Sequence, residues 1–86
     1  MRVLIPAPLL SYTGGRTEIE AKGSTLDEVL RDVDARHPGL RFRVVDEQGA
    51  VRPHIRFWVA SNLACDVAHP VGASDEVMIV AALSGG

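Results

Sequence analysis

Residues 25–37 carry the one long amphipathic helical pattern in this chain, and the rest must be arranged around the stripe that it buries. Leu26, Val29, Leu30 and Val33 recur at i, i+3, i+4 and i+7, while Asp27, Arg31, Asp32 and Arg36 take the opposite side. Gly23 breaks the preceding segment. Thr25, followed three residues later by Glu28, forms a capping-box pair able to satisfy two orphan N–H groups at the helix start. Pro38-Gly39 ends the pattern. A lone helix with one apolar stripe needs a sheet to cover it, and the flanking segments read as strands. The fold class predicted is therefore α+β, with one helix across one face of a mixed sheet.

The strands are short. Val3, Leu4 and Ile5 form a β-rich run closed by Pro6-Ala7-Pro8, and Ser11, Tyr12, Thr13, Gly14 and Gly15 make a turn-rich segment. Thr17, Ile19 and Ala21 then alternate with Glu18, Glu20 and Lys22, which predicts a half-buried strand paired to the first as a hairpin. Leu40, Phe42 and Val44 alternate with Arg41 and Arg43, so residues 40–45 read either as a short strand or as an irregular crossing before the polar turn Asp46-Glu47-Gln48-Gly49. Ile55, Phe57 and Val59 alternate with Arg56, Trp58 and Ala60 in a clearer strand. Residues 77–82 are apolar on both faces, as a central strand should be. The order is β-β-α-(β)-β-β, a four- to five-stranded sheet.

Composition bounds the function. The chain has 86 residues, 9 Lys+Arg against 11 Asp+Glu, a formal charge of −2, and 47% hydrophobic residues. A domain of this size buries roughly 60% of the surface its unfolded chain exposes, so it holds one core. The balanced charge supplies no basic stripe for phosphates, which argues against nucleic acid. No stretch approaches the ~20 apolar residues of a membrane span, and the opening run stops at Pro6 with no signal-peptide pattern. The expected location is cytoplasmic. Cys65, the single cysteine, allows no internal disulfide and no Cys-x-x-Cys site, and His37, His54 and His69 are far apart, so no metal site is expected.

The end of the chain carries the most chemical information. After the apolar strand comes Leu83-Ser84-Gly85-Gly86, with no charged residue beyond Glu76. An α-carboxylate with a reference pKa of about 3.5 is ionised at neutral pH and is a poor electrophile. Transfer to a nucleotide phosphate would give an acyl adenylate, open to attack by sulfide, a persulfide or a thiol. Such chemistry needs a thin, extended peptide able to thread another protein's active site. Glycine, lacking Cβ, suits that path, and Leu83 and Ser84 are small enough to follow. The structure-only alternative is a frayed terminus. On the chemical reading, residues 1–82 form the globular body, residues 83–86 a flexible tail, and the chain is a substrate.

In these residues the chain resembles the ubiquitin-like β-grasp sulfur carriers, which include the molybdopterin synthase small subunit and the thiamine sulfur carrier. The resemblance rests on Thr25-Leu26-Asp27-Glu28-Val29-Leu30, on Asp75-Glu76-Val77-Met78-Ile79 and on Gly85-Gly86. The opening, from Ile5-Pro6 through Leu9-Leu10 to Tyr12-Thr13-Gly14-Gly15, is most similar to the actinobacterial carriers that serve cysteine biosynthesis. Three positions depart from the family pattern. Ser74 replaces a frequent Gly, Ala81-Ala82 replaces an early tail Pro, and Val59-Ala60-Ser61-Asn62 replaces a Val-Asn-Gly turn, which puts pairing of that hairpin in question.

The resemblance implies a ubiquitin-like β-grasp and a carrier mechanism. A separate E1-like enzyme, using ATP and Mg, would adenylate Gly86, sulfur would displace AMP, and the resulting thiocarboxylate would serve a biosynthetic acceptor. The chain itself would bind no ATP and no metal. Leu83, Ser84, Gly85 and Gly86 would enter the partner's active site. For cysteine synthesis the implied acceptor is a pyridoxal-phosphate enzyme; molybdopterin, thiamine and sulfur-containing secondary metabolites are the alternatives. A different class of function, a ubiquitin-like modifier forming isopeptide bonds, uses the same diglycine. A tail that enters enclosed sites implies a monomer when free.

Other residues carry weaker signals. Trp58, Met78 and Val80 share the sheet face opposite the helix on this reading, and form either a docking face or a second layer of core beneath residues 40–53. Cys65 has no His-Asp partners at recognisable spacing and reads as an incidental thiol. His37 falls where a helix C-terminus favours a partly positive ring. Asp75-Glu76 reads as a polar turn, and no nucleophile–base pair supports an enzyme.

Overall fold

The computed structural model describes residues 1–82. Five strands, β1 (Arg2–Leu4), β2 (Glu18–Glu20), β3 (Ile55–Val59), β4 (Asn62–Ala64) and β5 (Glu76–Ala81), form one sheet in the order β2-β1-β5-β3-β4. The β1–β5 pair is parallel and the others are antiparallel. β5 lies in the centre, as its apolar run requires, and β1 and β2 pair as the predicted hairpin. The helix α1 (Leu26–Arg36) crosses one face, and its Leu26, Val29, Leu30 and Val33 are fully buried. Below them lie Val3, Ile19, Phe57, Val77 and Ile79 from the sheet's inner face.

The cap at the start of α1 is built in two parts. Thr25 Oγ1 accepts from the Glu28 N–H at 3.2 Å, as the spacing predicts. Glu28 reaches one residue further back than a capping box requires, accepting from both the backbone N–H and the hydroxyl of Ser24 at 2.8 Å. Two further helix N–H groups, those of Leu26 and Asp27, donate to the carbonyls of His69 and Val67. A loop distant in sequence thus completes the helix end.

Residues 40–45 are corrected by the structure. Leu40–Val44 is a second helix, α2, rather than a strand or an irregular crossing. Leu40 and Val44 are buried and Phe42 is 55% exposed. The alternation that suggested a strand therefore conceals an i, i+4 pair. Gly39, at φ 95°, turns the chain into α2, and Asp34 Oδ1 accepts from the N–H groups of Gly39 and Arg41. The turn-rich opening is also more regular than expected, since Ala7–Thr13 forms a 3-10 helix closed by Gly14 in the left-handed region. The buried Thr13 hydroxyl lies within bonding distance of the Leu10 and Arg16 carbonyls.

The fifth strand comes from residues 62–64, across the turn where pairing was in question. Val59 pairs with Asn62 and Trp58 with Leu63. Ala60 and Ser61 supply the connection at φ 49° and 71°. A two-residue hairpin with both central residues at positive φ twists in the sense that the flanking strands need, but residues with a Cβ are strained there. Replacing Ala60 and Ser61 with Asn and Gly should raise stability by about 1 kcal/mol. In thermal melts this would appear as an increase of roughly 4–8 °C.

Asp27 ties the two helices together. Its carboxylate accepts from Arg31 Nε at 2.8 Å and from Arg41 Nη2 at 2.9 Å. These hydrogen bonds, that of Arg31 foremost, hold its pKa below the ordinary 3.8. The unfolded chain therefore binds the proton more readily, and the pair's contribution is present above about pH 4 and fades as pH falls through the depressed folded value. Asp27→Asn should be less stable than wild type at neutral pH. Denaturant titrations from pH 7 to pH 3 should show that difference shrinking on the acid side.

Candidate functional site

The site has two parts, the end of β5 and the sheet face that α1 does not cover. β5 is paired on both sides: Val77 and Met78 stand opposite Val3 and Leu4 of β1, and Val77 through Ala81 run opposite β3. The ladder goes one residue beyond the strand, because the Ala82 N–H donates to the His54 carbonyl at 2.8 Å. The backbone is thus held in register up to the residue from which the C-terminal segment departs. Leu83, Ser84, Gly85 and Gly86, predicted to enter a partner, lie outside the described residues.

On the uncovered face, register places the predicted residues together. Trp58 stands opposite Met78, with Leu63 on its other side, and Val80 stands opposite Arg56. Trp58 is 38% exposed, Met78 40%, Val80 37% and Leu63 45%. Of the two readings given to Trp58, Met78 and Val80, the second layer of core is excluded, since residues 40–53 do not cover them. Leu63 joins this face through the β3–β4 pairing and was not among the residues predicted for it. The signal was available, because a two-residue loop after Val59 would have put it on the same face as Trp58.

The two ends of this face differ in charge. At the start of β5, Arg2 bonds Glu76 through Nε at 3.1 Å and through a second, shorter contact from Nη2, and lies 3.5 Å from Glu18. Those carboxylates raise the Arg2 pKa, the Glu76 hydrogen bond contributing most. Asp75 closes the turn before β5, its Oδ2 accepting from the Gly72 N–H at 2.7 Å. At the other end, Pro8, Phe42, Arg43, Arg52 and His54 line a cleft beside Ala81 and Ala82. Pro6 and Ala7 form a shelf on the other side of the strand.

The remaining candidates form no centre. Cys65 is exposed beside Arg52 and Arg56. His37 caps α1 with its Nδ1 3.1 Å from the Tyr12 carbonyl, and His69 lends its carbonyl to the start of that helix. Among the described residues no group of three or more His, Cys, Asp or Glu is placed to hold a metal ion, and no helix is long and apolar enough to cross a membrane.

Comparison with known proteins now decides the family. The ThiS family model matches residues 3–86. The chain belongs to the ThiS family. This ThiS-family chain is 29% identical over 89 residues to the sulfur carrier protein CysO of Mycobacterium tuberculosis, covering 98% of this chain and 96% of that protein. A chain in the crystal structure of the Amycolatopsis orientalis BexX/CysO complex superimposes with a TM-score of 0.91 at 33% identity, over 99% of this chain and 98% of that one. The crystal structure of small archaeal modifier protein 1 (SAMP1) from Haloferax volcanii superimposes with a TM-score of 0.78 at 26% identity, over 100% and 98% of the two chains. The α+β fold expected, a ubiquitin-like β-grasp, is the one observed.

The division between core and open face can be tested on adjacent residues. Phe57 is fully buried against the helix side, whereas Trp58 points the other way. Phe57→Ala should cost about 3–5 kcal/mol in urea unfolding, and Trp58→Ala about 1 kcal/mol, because only the first leaves a cavity in the core.

Proposed function

We propose that this chain is a sulfur carrier whose working group is the C-terminal carboxylate of Gly86. The observation that carries the reading is the run-out of β5: a strand paired with β1 through Met78 and held on the β3 side as far as Ala82 leads into Leu83-Ser84-Gly85-Gly86, with no charge after Glu76. Residues 1–82 would be the recognised body and residues 83–86 the reacting tail. Similarity to the M. tuberculosis sulfur carrier CysO supports this.

The chemistry needs a partner enzyme with ATP and Mg. The Gly86 carboxylate oxygen attacks the α-phosphorus of ATP, forming the acyl adenylate and releasing pyrophosphate. Hydrosulfide then adds to the acyl carbon. The C–O bond to AMP breaks, AMP leaves with its oxygen, and the sulfur loses its proton, leaving a thiocarboxylate at Gly86. The sulfur stays tethered, so an acceptor recognises a protein surface instead of a freely diffusing ion. The chain supplies no catalytic residue to either step. Both ATP and reduced sulfur are cytoplasmic reagents, and a monomer leaves the tail free to enter each partner.

For the acceptor we favour a cysteine synthase of the pyridoxal-phosphate class, on the opening motif and on the CysO relatives. Trp58, Met78 and Val80 would be the docking face, an exposed apolar cluster adjoining the tail's strand. A second reading, conjugation to lysine, is favoured by the likeness to SAMP1.

Intact mass spectrometry separates the two. Incubation with ATP-Mg, sulfide and the organism's adenylating enzyme should add the mass difference of one oxygen exchanged for sulfur, and a Gly86-deleted chain should gain nothing. Conversion absent with every adenylating enzyme of the organism would sink the carrier reading. A Gly86–lysine isopeptide in cell lysates would establish the modifier.

A further inference from the structure

Arginines from both sides of the sheet come together at the place where the chain leaves it. Arg43, Arg52 and His54 line the cleft beside Ala81 and Ala82, and Arg56 stands opposite Val80 on the open face. Arg2 pairs with Glu76, Arg31 and Arg41 with Asp27, and Arg36 with Asp32, while Arg16, which does not line that cleft, forms no ion pair among the described residues. Among the described residues Arg43, Arg52 and Arg56 form no ion pair. Arg52 stacks on exposed Phe42 with Cζ 4.6 Å from the ring centroid, and its Nε donates to the Phe42 carbonyl at 2.7 Å. Arg43 lies over Tyr12 at 5.8 Å. Arg56 Nη1 is held by the carbonyls of Pro53 and Ile55 at 2.9 and 2.8 Å. These contacts fix the side chains without an ion pair, the Asp46 carboxylate acting on the Arg52 charge only at longer range. In a chain of formal charge −2, this is a local excess of positive charge, set against Glu18, Glu20 and Glu76 at the other end of the face, which outnumber the Arg2 and N-terminal charges they pair with.

The length of the tail makes this rim part of any interface. Residues 83–86 fully extended reach roughly 13–14 Å beyond Ala82. A reacting centre within that distance and enclosed in a partner brings the partner's surface against the rim around Ala82. We propose that Arg43, Arg52 and Arg56 form an electrostatic collar that recognises an acidic rim at the mouth of the channel receiving the tail. This rests on the carrier reading, since only a tail that enters a partner forces the contact. Long-range attraction of opposite rims speeds encounter and orients the chain tail-first, and it is screened by salt.

The test is the rate of thiocarboxylate formation with the organism's adenylating enzyme, followed by intact mass at 0.05 and 0.5 M NaCl. Arg43→Glu and Arg52→Glu should each lower kcat/KM about tenfold at low salt, with kcat at saturation unchanged and the deficit largely closed at high salt. Lys22→Glu, which changes the net charge equally at a site away from the tail, should match wild type. The neutral Arg43→Gln and Arg52→Gln variants should fall between, and melting curves would separate any misfolding from lost recognition. Wild type converted while the glutamate variants track Lys22→Glu at both salts would overturn the collar and leave the carrier reading intact. Wild type unconverted would overturn both. Sedimentation of wild type as a salt-sensitive dimer that Arg52→Glu dissolves would assign the collar to the acidic end of a second copy, and would also overturn the proposal.

Discussion

The pairing of β5 with β1 on one side and β3 on the other is the constraint on which the rest of this structure depends. Parallel neighbours cannot be joined by a tight turn, so the 3-10 helix, β2, both helices and β3–β4 all lie between β1 and β5 in the chain. The core is closed only when the last strand enters. Its Val77 and Ile79 complete the floor beneath α1, while Met78 and Val80 emerge on the other face. One strand therefore finishes the core, contributes to the apolar face and carries the C-terminal segment.

The helix is coupled to the same strand through its N-terminus. The carbonyls of Val67 and His69 receive helix N–H groups, and Val71 N–H returns to the Ser24 carbonyl, so the segment that leads into β5 is hydrogen-bonded to the start of α1. Gly23 lets the chain fold back onto the first turn of α1, because a Cβ there would stand 2.7 Å from the Val29 nitrogen and 2.9 Å from Glu28 atoms. At the other end of α1, Asp34 collects N–H groups from Gly39 and Arg41, and Asp27 binds Arg41. Local polar groups thus set the angle between the helices, with apolar burial supplying most of the driving force.

The two faces of the sheet are therefore unlike by construction. One is dry and filled by α1; the other keeps Trp58, Met78, Val80 and Leu63 at the surface, between an acidic end and a basic one. A catalyst would need converging reactive groups, and among the described residues the histidines and Cys65 stand apart, the His37 ring lying against the Tyr12 carbonyl at the end of α1. The features that remain suit recognition by another protein.

Much of this was legible in the residues themselves. The helix, the strand alternation at Ile55, Phe57 and Val59, the central β5 and the diglycine segment follow from periodicity and glycine chemistry, which act over a few neighbouring residues. Residues 40–45 are ambiguous in sequence because Leu40, Phe42 and Val44 satisfy a period of two while Leu40 and Val44 also satisfy i, i+4; only contact with the core chooses between them. The hairpin through Ala60 and Ser61 was obscured because its residues oppose the backbone they adopt, and pairing across β3–β4 overrides that preference. The openness of the Trp58 face and the gathering of Arg43, Arg52 and Arg56 around Ala82 belong to the tertiary structure alone. Side-chain pattern determines which residues can share a face; what covers that face, and which charges meet at its end, depends on segments brought together from far along the chain.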